Sequence, residues 1–385
     1  MPDPAPNPSS SASDQTPPPK PRLPLPTPGL ILTLCLGAVG GWIFHLLNMP
    51  LAWMMGSLAA VMIAALSGVA VERPIKLRLV LVPVLGVMLG SAFSPDILDG
   101  LTRWVWSALS MALYAGVVTA IMFHILTRYC HYDPKTAFLS SAPGGVNDLI
   151  QLASQYGADE RVVSLMHATR IAVAVFVVPI WFRLAYGDPS AETANAADSA
   201  ASGIGQGFTS WGSLGLYDAG LLSLCAIGGY WLATLIRLPA GAILGPMLAS
   251  AAVHLAGWTE AAPPTHLVWA CQIVLGCAIS SRFAGVSLRK LAREMLIAAL
   301  SGLFMIVLAV PIALILGELL LLPSEEILLA FSPGGLMEMG LIALSAGLDP
   351  AFVSAHHLVR ITLVILIAPI VFRALLVRPN KTNGS

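Results

Sequence analysis

Two short stretches carry the residues most able to do chemistry. The first is Ser141-Ala142-Pro143-Gly144-Gly145-Val146-Asn147-Asp148, followed by an apolar run holding His167 and Arg170. The second is Phe331-Ser332-Pro333-Gly334-Gly335-Leu336-Met337-Glu338, followed by His357 and Arg360. Proline followed by two glycines interrupts a helix and leaves backbone N–H groups without partners. In hydrocarbon such backbone must be buried in protein or line a wet cavity. The helix resuming after each break presents its positive end there, which suits an anion or a carboxylate. Asp148 and Glu338 sit three residues past the second glycine of each break. Two readings are open for them: a cap on their own helix, or a proton or cation site. Arg170 lies nine residues after Arg161 and thirteen before Arg183. At about 1.5 Å per residue this places it near mid-membrane, and Arg360 takes the same place in the second stretch. A buried arginine in a membrane marks function by default; the competing reading is a structural ion pair with Asp148 or Glu338. His167 and His357, three residues earlier on the same helix face, read either as buried polar residues or as a proton relay. The candidate binding set is therefore Pro143, Gly144, Gly145, Asp148, His167, Arg170, Pro333, Gly334, Gly335, Glu338, His357 and Arg360.

The elements around these residues are duplicated. Pro143/Pro333, Gly157/Gly347, Asp159/Asp349, Ser164/Ser354, His167/His357, Arg170/Arg360 and Arg183/Arg373 all keep an offset of 190. Earlier, Pro50-Leu51-Ala52-Trp53-Met54-Met55-Gly56 parallels Pro239-Ala240-Gly241-Ala242-Ile243-Leu244-Gly245 at 189, and Gly86–Ser91 parallels Gly276–Ser281 at 190. A fixed long period means repeated structural units. The pairs Ala52/Gly56, Gly241/Gly245 and Gly86/Gly90 have the small-xxx-small spacing that lets membrane helices approach closely.

Composition fixes the class. Of 385 residues, 57% are hydrophobic and 10% charged, against roughly 25% charged in a soluble domain. Apolar runs of membrane-crossing length fall at about 29–47, 50–68, 75–93, 104–127 and 162–185, and again at about 214–236, 239–257, 266–283, 294–317 and 351–377. The expected fold is an all-α polytopic membrane protein, with two inverted repeats of five transmembrane helices plus one re-entrant or broken Pro-Gly-Gly helix each. The expected division is a disordered cytoplasmic tail (1–28), a first repeat (29–186), a polar non-cytoplasmic linker (187–213), a second repeat (214–377) and a cytoplasmic tail (378–385). The start of the chain lacks the basic segment and short apolar core of a signal peptide.

Placement of the basic residues decides between topologies. If each Pro-Gly-Gly segment returns to its own side, sixteen of twenty Lys and Arg are cytoplasmic. Only Arg103 and Arg183 then lie outside, while Arg170 and Arg360 lie within the membrane. If the segments cross, the count becomes eleven inside and seven outside. Five crossings per half put the second half upside down relative to the first, an arrangement frequent among secondary transporters. Both termini are then cytoplasmic, with Ser190 and Lys381 on opposite faces.

Other chemistries find little footing. The five cysteines are odd in number and lie mostly in apolar runs, without a Cys-x-x-Cys. No metal and no cofactor are expected, because the histidines show no ligand spacing. There is no phosphate-binding glycine loop and no nucleophile elbow. The basic residues follow the membrane face, so nucleic acid is not an expected partner. The nine tryptophans suit interfacial belts.

The two Pro-Gly-Gly blocks, each followed by Gly-x-Asp and a helix with His-x-x-Arg, resemble the AbrB duplication family of bacterial membrane proteins. The resemblance covers about residues 30–377. It implies a multi-pass protein of the bacterial inner membrane. Members of that family are labelled variously as regulators of gene expression and as ammonia monooxygenases. The residues themselves favour a secondary transporter or permease for a small anionic or zwitterionic solute, with the lipid bilayer as surroundings. The alternatives are a membrane-embedded regulator acting indirectly on gene expression and, with less support, a membrane monooxygenase.

Overall fold

The computed structural model describes residues 27–93, 97–186, 214–238, 240–285 and 288–376. The expected linker and nearly all of both expected tails, Ser190 and Lys381 among them, lie outside the described residues, as does Pro239. The described residues form helices and no strand. The first half contributes α1 (Pro28–Leu46), α2 (Ala52–Leu66), α3 (Ile75–Ser91), α4 (Ile97–Arg128), α5 (Pro134–Ser141), α6 (Val146–Tyr156) and α7 (Glu160–Tyr186). The second contributes α8 (Leu216–Leu235), α9 (Gly241–Leu255), α10 (Thr265–Ser280), α11 (Leu288–Leu320), α12 (Ser324–Phe331), α13 (Leu336–Ser345) and α14 (Pro350–Leu376). Each helix of the second half thus has a counterpart seven places earlier.

Seven of these helices (α1, α4, α7, α8, α10, α11 and α14) are long and apolar enough to cross a membrane. The chain is an all-α polytopic membrane protein. Helices α2, α3 and α9 occupy expected apolar segments but have only 15, 17 and 15 residues. Two of them start late for a local reason. The residue before α2, Leu51, and the residue before α9, Ala240, are both left-handed, with φ of 47° and 50°.

The backbone itself repeats. Left-handed residues recur in matched pairs: Asn48/Arg237, Leu51/Ala240 and His131/Leu321. Such a conformation costs a non-glycine residue roughly 1–3 kcal/mol. Asn48, Arg237, His131 and Leu321 all follow a helix end, where a left-handed residue terminates the helix. Gly157 and Gly347, at φ +70° and +69°, turn the chain after α6 and α13 in the same way. Asp159 then caps the next helix, accepting from the N–H groups of Arg161 (2.9 Å) and Val162 (3.0 Å). Asp349 caps α14 through Ala351 (2.8 Å) and Phe352 (3.3 Å). The repeated Gly-x-Asp is therefore a helix stop followed by a helix start.

Small residues set the packing. Helix α1 lies on α2 where Gly40 meets Gly56, and α8 lies on α9 where Gly229 meets Gly245. Added methyl groups at these glycines would run into the facing backbone. Across the halves, Gly86 and Gly90 of α3 abut the α9 backbone at Ile243 and Met247, while Gly276 of α10 abuts α2 at Met54 and Leu58. The halves therefore interleave. Lipid tails give helices no hydrophobic reason to associate, so this backbone-to-backbone approach is what holds them.

The short helices form hairpins. Lys135 Nζ of α5 donates to the Tyr156 carbonyl at the end of α6 (3.0 Å), and the Asp159 N–H donates to Thr136 Oγ1 (2.9 Å). In the second copy the Asp349 N–H donates to Glu326 Oε1 (3.1 Å). Each hairpin therefore ends beside its own start.

Gly56→Ala and Gly245→Ala should each destabilise the protein by about 1–3 kcal/mol, as overpacking does. Gly116→Ala and Gly220→Ala, where added atoms meet open space, should be neutral or stabilising by up to roughly 1 kcal/mol. Thermal unfolding of the four variants in one detergent checks the contrast.

Candidate functional site

Each break has the same local build. Helix α5 ends as Ala142 turns extended (ψ 129°), and α12 ends as Ser332 does (ψ 146°). Pro143 and Pro333 follow. The Gly144 N–H then turns back to the Ala142 carbonyl (3.1 Å), and the Gly334 N–H to the Ser332 carbonyl (2.9 Å). Gly145 and Gly335 cap α6 and α13 in extended conformation. Glycine is needed here for room rather than for a left-handed turn. A side chain at Gly144 would strike Val364 of α14, and one at Gly145 or Gly335 would strike the carboxylate of Asp148 or Glu338.

The arginines close the carbonyl ends. Arg170 donates to the carbonyls of Ser140 (3.3 Å), Ser141 (3.5 Å) and Ala142 (3.1 Å), which end α5. Arg360 donates to that of Ser332 (2.7 Å) at the end of α12 and to that of Gly334 (2.6 Å) within the break. Last-turn carbonyls have no partner within their helix and carry its negative end. A buried guanidinium supplies both hydrogen bonds and opposite charge.

The histidines hold the arginines. His167 Nδ1 accepts from Arg170 (2.7 Å) while its Nε2–H donates to the Leu139 carbonyl (3.0 Å). His357 repeats this with Arg360 (2.7 Å) and Leu329 (3.1 Å). Both rings are neutral and locked in one tautomer, since each donates through one nitrogen and accepts through the other. The arginines form no ion pair with Asp148 or Glu338 among the described residues; their terminal nitrogens face backbone carbonyls instead.

The two N–H ends face a common cavity of ≈540 Å³ between the breaks. Pro143, Gly144, Gly145, Asp148, His167, Arg170, Pro333, Gly334, Gly335, Glu338 and Arg360 all line it. His357 stands behind Arg360 and is not part of the lining. Asp148 and Glu338 occupy the third position of their helices and fold back over Gly145 and Gly335, the geometry of a carboxylate stabilising a helix start.

Three arginines absent from the sequence-derived set also line the cavity: Arg73, Arg78 and Arg282. Arg282 follows α10 and donates to Ser164 Oγ (3.3 Å) and Asn147 Oδ1 (3.0 Å). It thereby ties the second half to the first break. The sequence signal was present: these cations belong to the group that fixes the topology, and their position beside the break came only with the fold.

The copies differ in surroundings. Helix α13 is almost wholly buried, and Gly340 packs on Leu89 of α3. Helix α6 buries only Leu149 and Ala153 and exposes Asn147, Asp148, Gln151, Ser154 and Gln155. Among the described residues no three His, Cys, Asp or Glu side chains gather as a metal ligand set.

A protein-family model described as "Transition state regulatory protein AbrB" matches residues 53–376. The chain belongs to the AbrB family. Two curated relatives are similar over nearly their whole length. "Uncharacterized protein YhjN" of Bacillus subtilis (strain 168) is 27% identical over 357 residues, covering 89% of this chain and 92% of the relative. "Putative regulator AbrB" of Escherichia coli (strain K12) is 26% identical over 330 residues, covering 86% and 91%. The matched range includes both breaks and both arginine caps, so the site described here lies within the AbrB-family region.

Two predictions follow from the caps and the hairpin bases. Arg360→Ala strands the Gly334 carbonyl and His357 Nδ1 and removes one of the two donors to the Ser332 carbonyl. Each orphaned group costs about 1–3 kcal/mol, so the variant should unfold many degrees lower or fail to accumulate. An unchanged melting temperature would contradict the cap. At the base of the second hairpin, burial pushes the Glu326 carboxyl from 4.5 up to about 7. The folded state then binds more protons than the unfolded state between these values. Stability should fall as pH rises from about 4.5 to 7 and level off above. Glu326→Gln, which keeps an acceptor for the Asp349 N–H, should remove that slope in melting temperatures measured across this range.

Proposed function

We propose that the chain is a secondary transporter or permease for a small anionic or zwitterionic solute. The observation carrying this reading is the meeting of two unwound Pro-Gly-Gly breaks at one cavity among membrane-crossing helices. Discontinuous helices whose free N–H ends point at a mid-membrane cavity are how many transporters hold substrate. The hairpin closure supports five crossings per half, since each broken segment comes back to where it began. With the basic residues cytoplasmic, the two halves are inverted and the Arg73–Arg78–Arg282 mouth faces the cytoplasm. The exposed polar face of α6 supports water entry on that side, and the packed, apolar α13 supports closure on the other.

The reading as a membrane-embedded regulator, acting indirectly on gene expression, is favoured by the name that the Escherichia coli relative carries. A solute-binding cavity would serve such a sensor as well. Flux separates the two.

The test is uptake or counterflow in proteoliposomes with Asp148→Ala and Glu338→Ala variants. Losing a cap alone costs roughly 1 kcal/mol and would leave flux near wild type. Transport through this cavity predicts at least a tenfold loss of flux, with only a few degrees' change in melting temperature. Wild-type protein that carries no solute across the bilayer, or variants with full flux, would contradict the reading.

A further inference from the structure

The cavity charges divide into two groups. Arg170 and Arg360 are committed to helix carbonyls, and Asp148 and Glu338 lie on helix starts. All four touch a backbone end. The Arg73, Arg78 and Arg282 side chains bond none. Arg73 and Arg78 have no hydrogen-bond or ion-pair partner among the described residues, and Arg282 has only the neutral Ser164 and Asn147. All three are partly buried and close enough to repel one another.

This mouth is also outside the duplication. At the repeat offset of 190, Arg78 corresponds to Val268, Arg282 to Ala92 and Asn147 to Met337. An internally symmetric scaffold therefore carries three clustered arginines at one end of its cavity only, and they outnumber the Glu338 carboxylate that attracts Arg78 and Arg282 there. Like charges held together in a half-buried site cost stability unless a ligand of opposite sign completes it. The cavity is far larger than an inorganic oxyanion needs, and besides Asn147, Asp148, His167 and Glu338 its walls carry apolar side chains, Val82, Leu275 and Ile279 among them. Guanidinium groups pair with carboxylates through two parallel hydrogen bonds.

We propose that the Arg73–Arg78–Arg282 mouth seats a multiply charged organic anion, a di- or tricarboxylate whose hydrocarbon backbone lies against Val82, Leu275 and Ile279. The inference rests on the cavity being a solute site, as read above, but not on transport.

The experiment is calorimetric titration of the full chain in nanodiscs of zwitterionic lipid. The probes are tricarballylate, succinate, butyrate and inorganic phosphate. Tricarballylate and succinate should bind, and binding should weaken as salt rises. Butyrate and phosphate should bind at least tenfold more weakly. Arg78→Gln and Arg282→Gln should each weaken tricarballylate binding at least tenfold. Arg78→Lys should keep part of it, and Lys76→Gln, outside the cavity, should match wild type. Melting temperatures without ligand show that each variant is folded.

Absence of binding by both polycarboxylates overturns the proposal, as does phosphate binding equal to tricarballylate. Tricarballylate binding that is unchanged in the folded Arg78→Gln and Arg282→Gln variants overturns it too. A parallel nanodisc containing anionic lipid tests a headgroup source: loss of tricarballylate binding there, with matching stabilisation by lipid alone, assigns the mouth to lipid and overturns the proposal. Polycarboxylate binding without flux in proteoliposomes leaves the proposal standing and removes the transport reading. Flux of another solute without carboxylate binding does the reverse.

Discussion

A helix that stops inside a membrane leaves carbonyl groups with nothing to accept from, and lipid offers no donors. In this protein the remedy is a guanidinium brought in from a neighbouring helix. Arg170 covers the end of α5 and Arg360 the end of α12, each steadied by a histidine one turn earlier. The rest of the centre follows from this. Once the carbonyl ends are closed, the chain can turn through Pro-Gly-Gly and resume as α6 or α13, with its N–H end free to face a shared cavity. A lysine would not serve equally, because one compact ammonium lacks the planar fork that reaches several carbonyls at once.

This arrangement treats the two kinds of helix end differently. The negative helix ends are sealed by groups buried in the protein. The positive ends remain beside the cavity, with Asp148 and Glu338 laid over them. Divergence between the copies then makes the surroundings of the two breaks unlike. Where the first copy has Asn147, Gln151 and Gln155, the second has Met337, Leu341 and Ser345. The first hairpin consequently exposes a polar face, and the second packs against α3 at Leu89. The two copies of one unit thus differ in how much of the helix after the break is buried.

Much of this was legible in the sequence. An offset of 190, or 189 in the first helices of each half, marks the paired elements, because duplicated backbone needs duplicated stops, caps and close contacts. The Pro-Gly-Gly blocks marked the breaks, since few other tripeptides both interrupt a helix and leave room for a neighbouring side chain. Arg170 and Arg360 were recognisable as unusual from depth alone, but their partners were not. Carbonyls contribute no letter to the sequence, so an ion pair with Asp148 or Glu338 looked like the natural structural alternative. The glycine partners of the close contacts, Gly40 and Gly229, were missed because a contact across two helices has no fixed spacing. Arg73, Arg78 and Arg282 were visible as charges, but their convergence depends on how α3, α10 and α6 pack. Shorter α2 and α9 reflect left-handed turns at Leu51 and Ala240, which their side chains do not announce.

The most direct measurement of the central claim is an experimental density map of the protein in a lipid nanodisc, at a resolution that shows side chains. The account predicts the Arg170 and Arg360 guanidinium groups on the carbonyls that end α5 and α12, with both hairpins returning to the bilayer face from which they started. Arginines turned toward acyl chains, or a Pro-Gly-Gly segment running through to the opposite face, would contradict it.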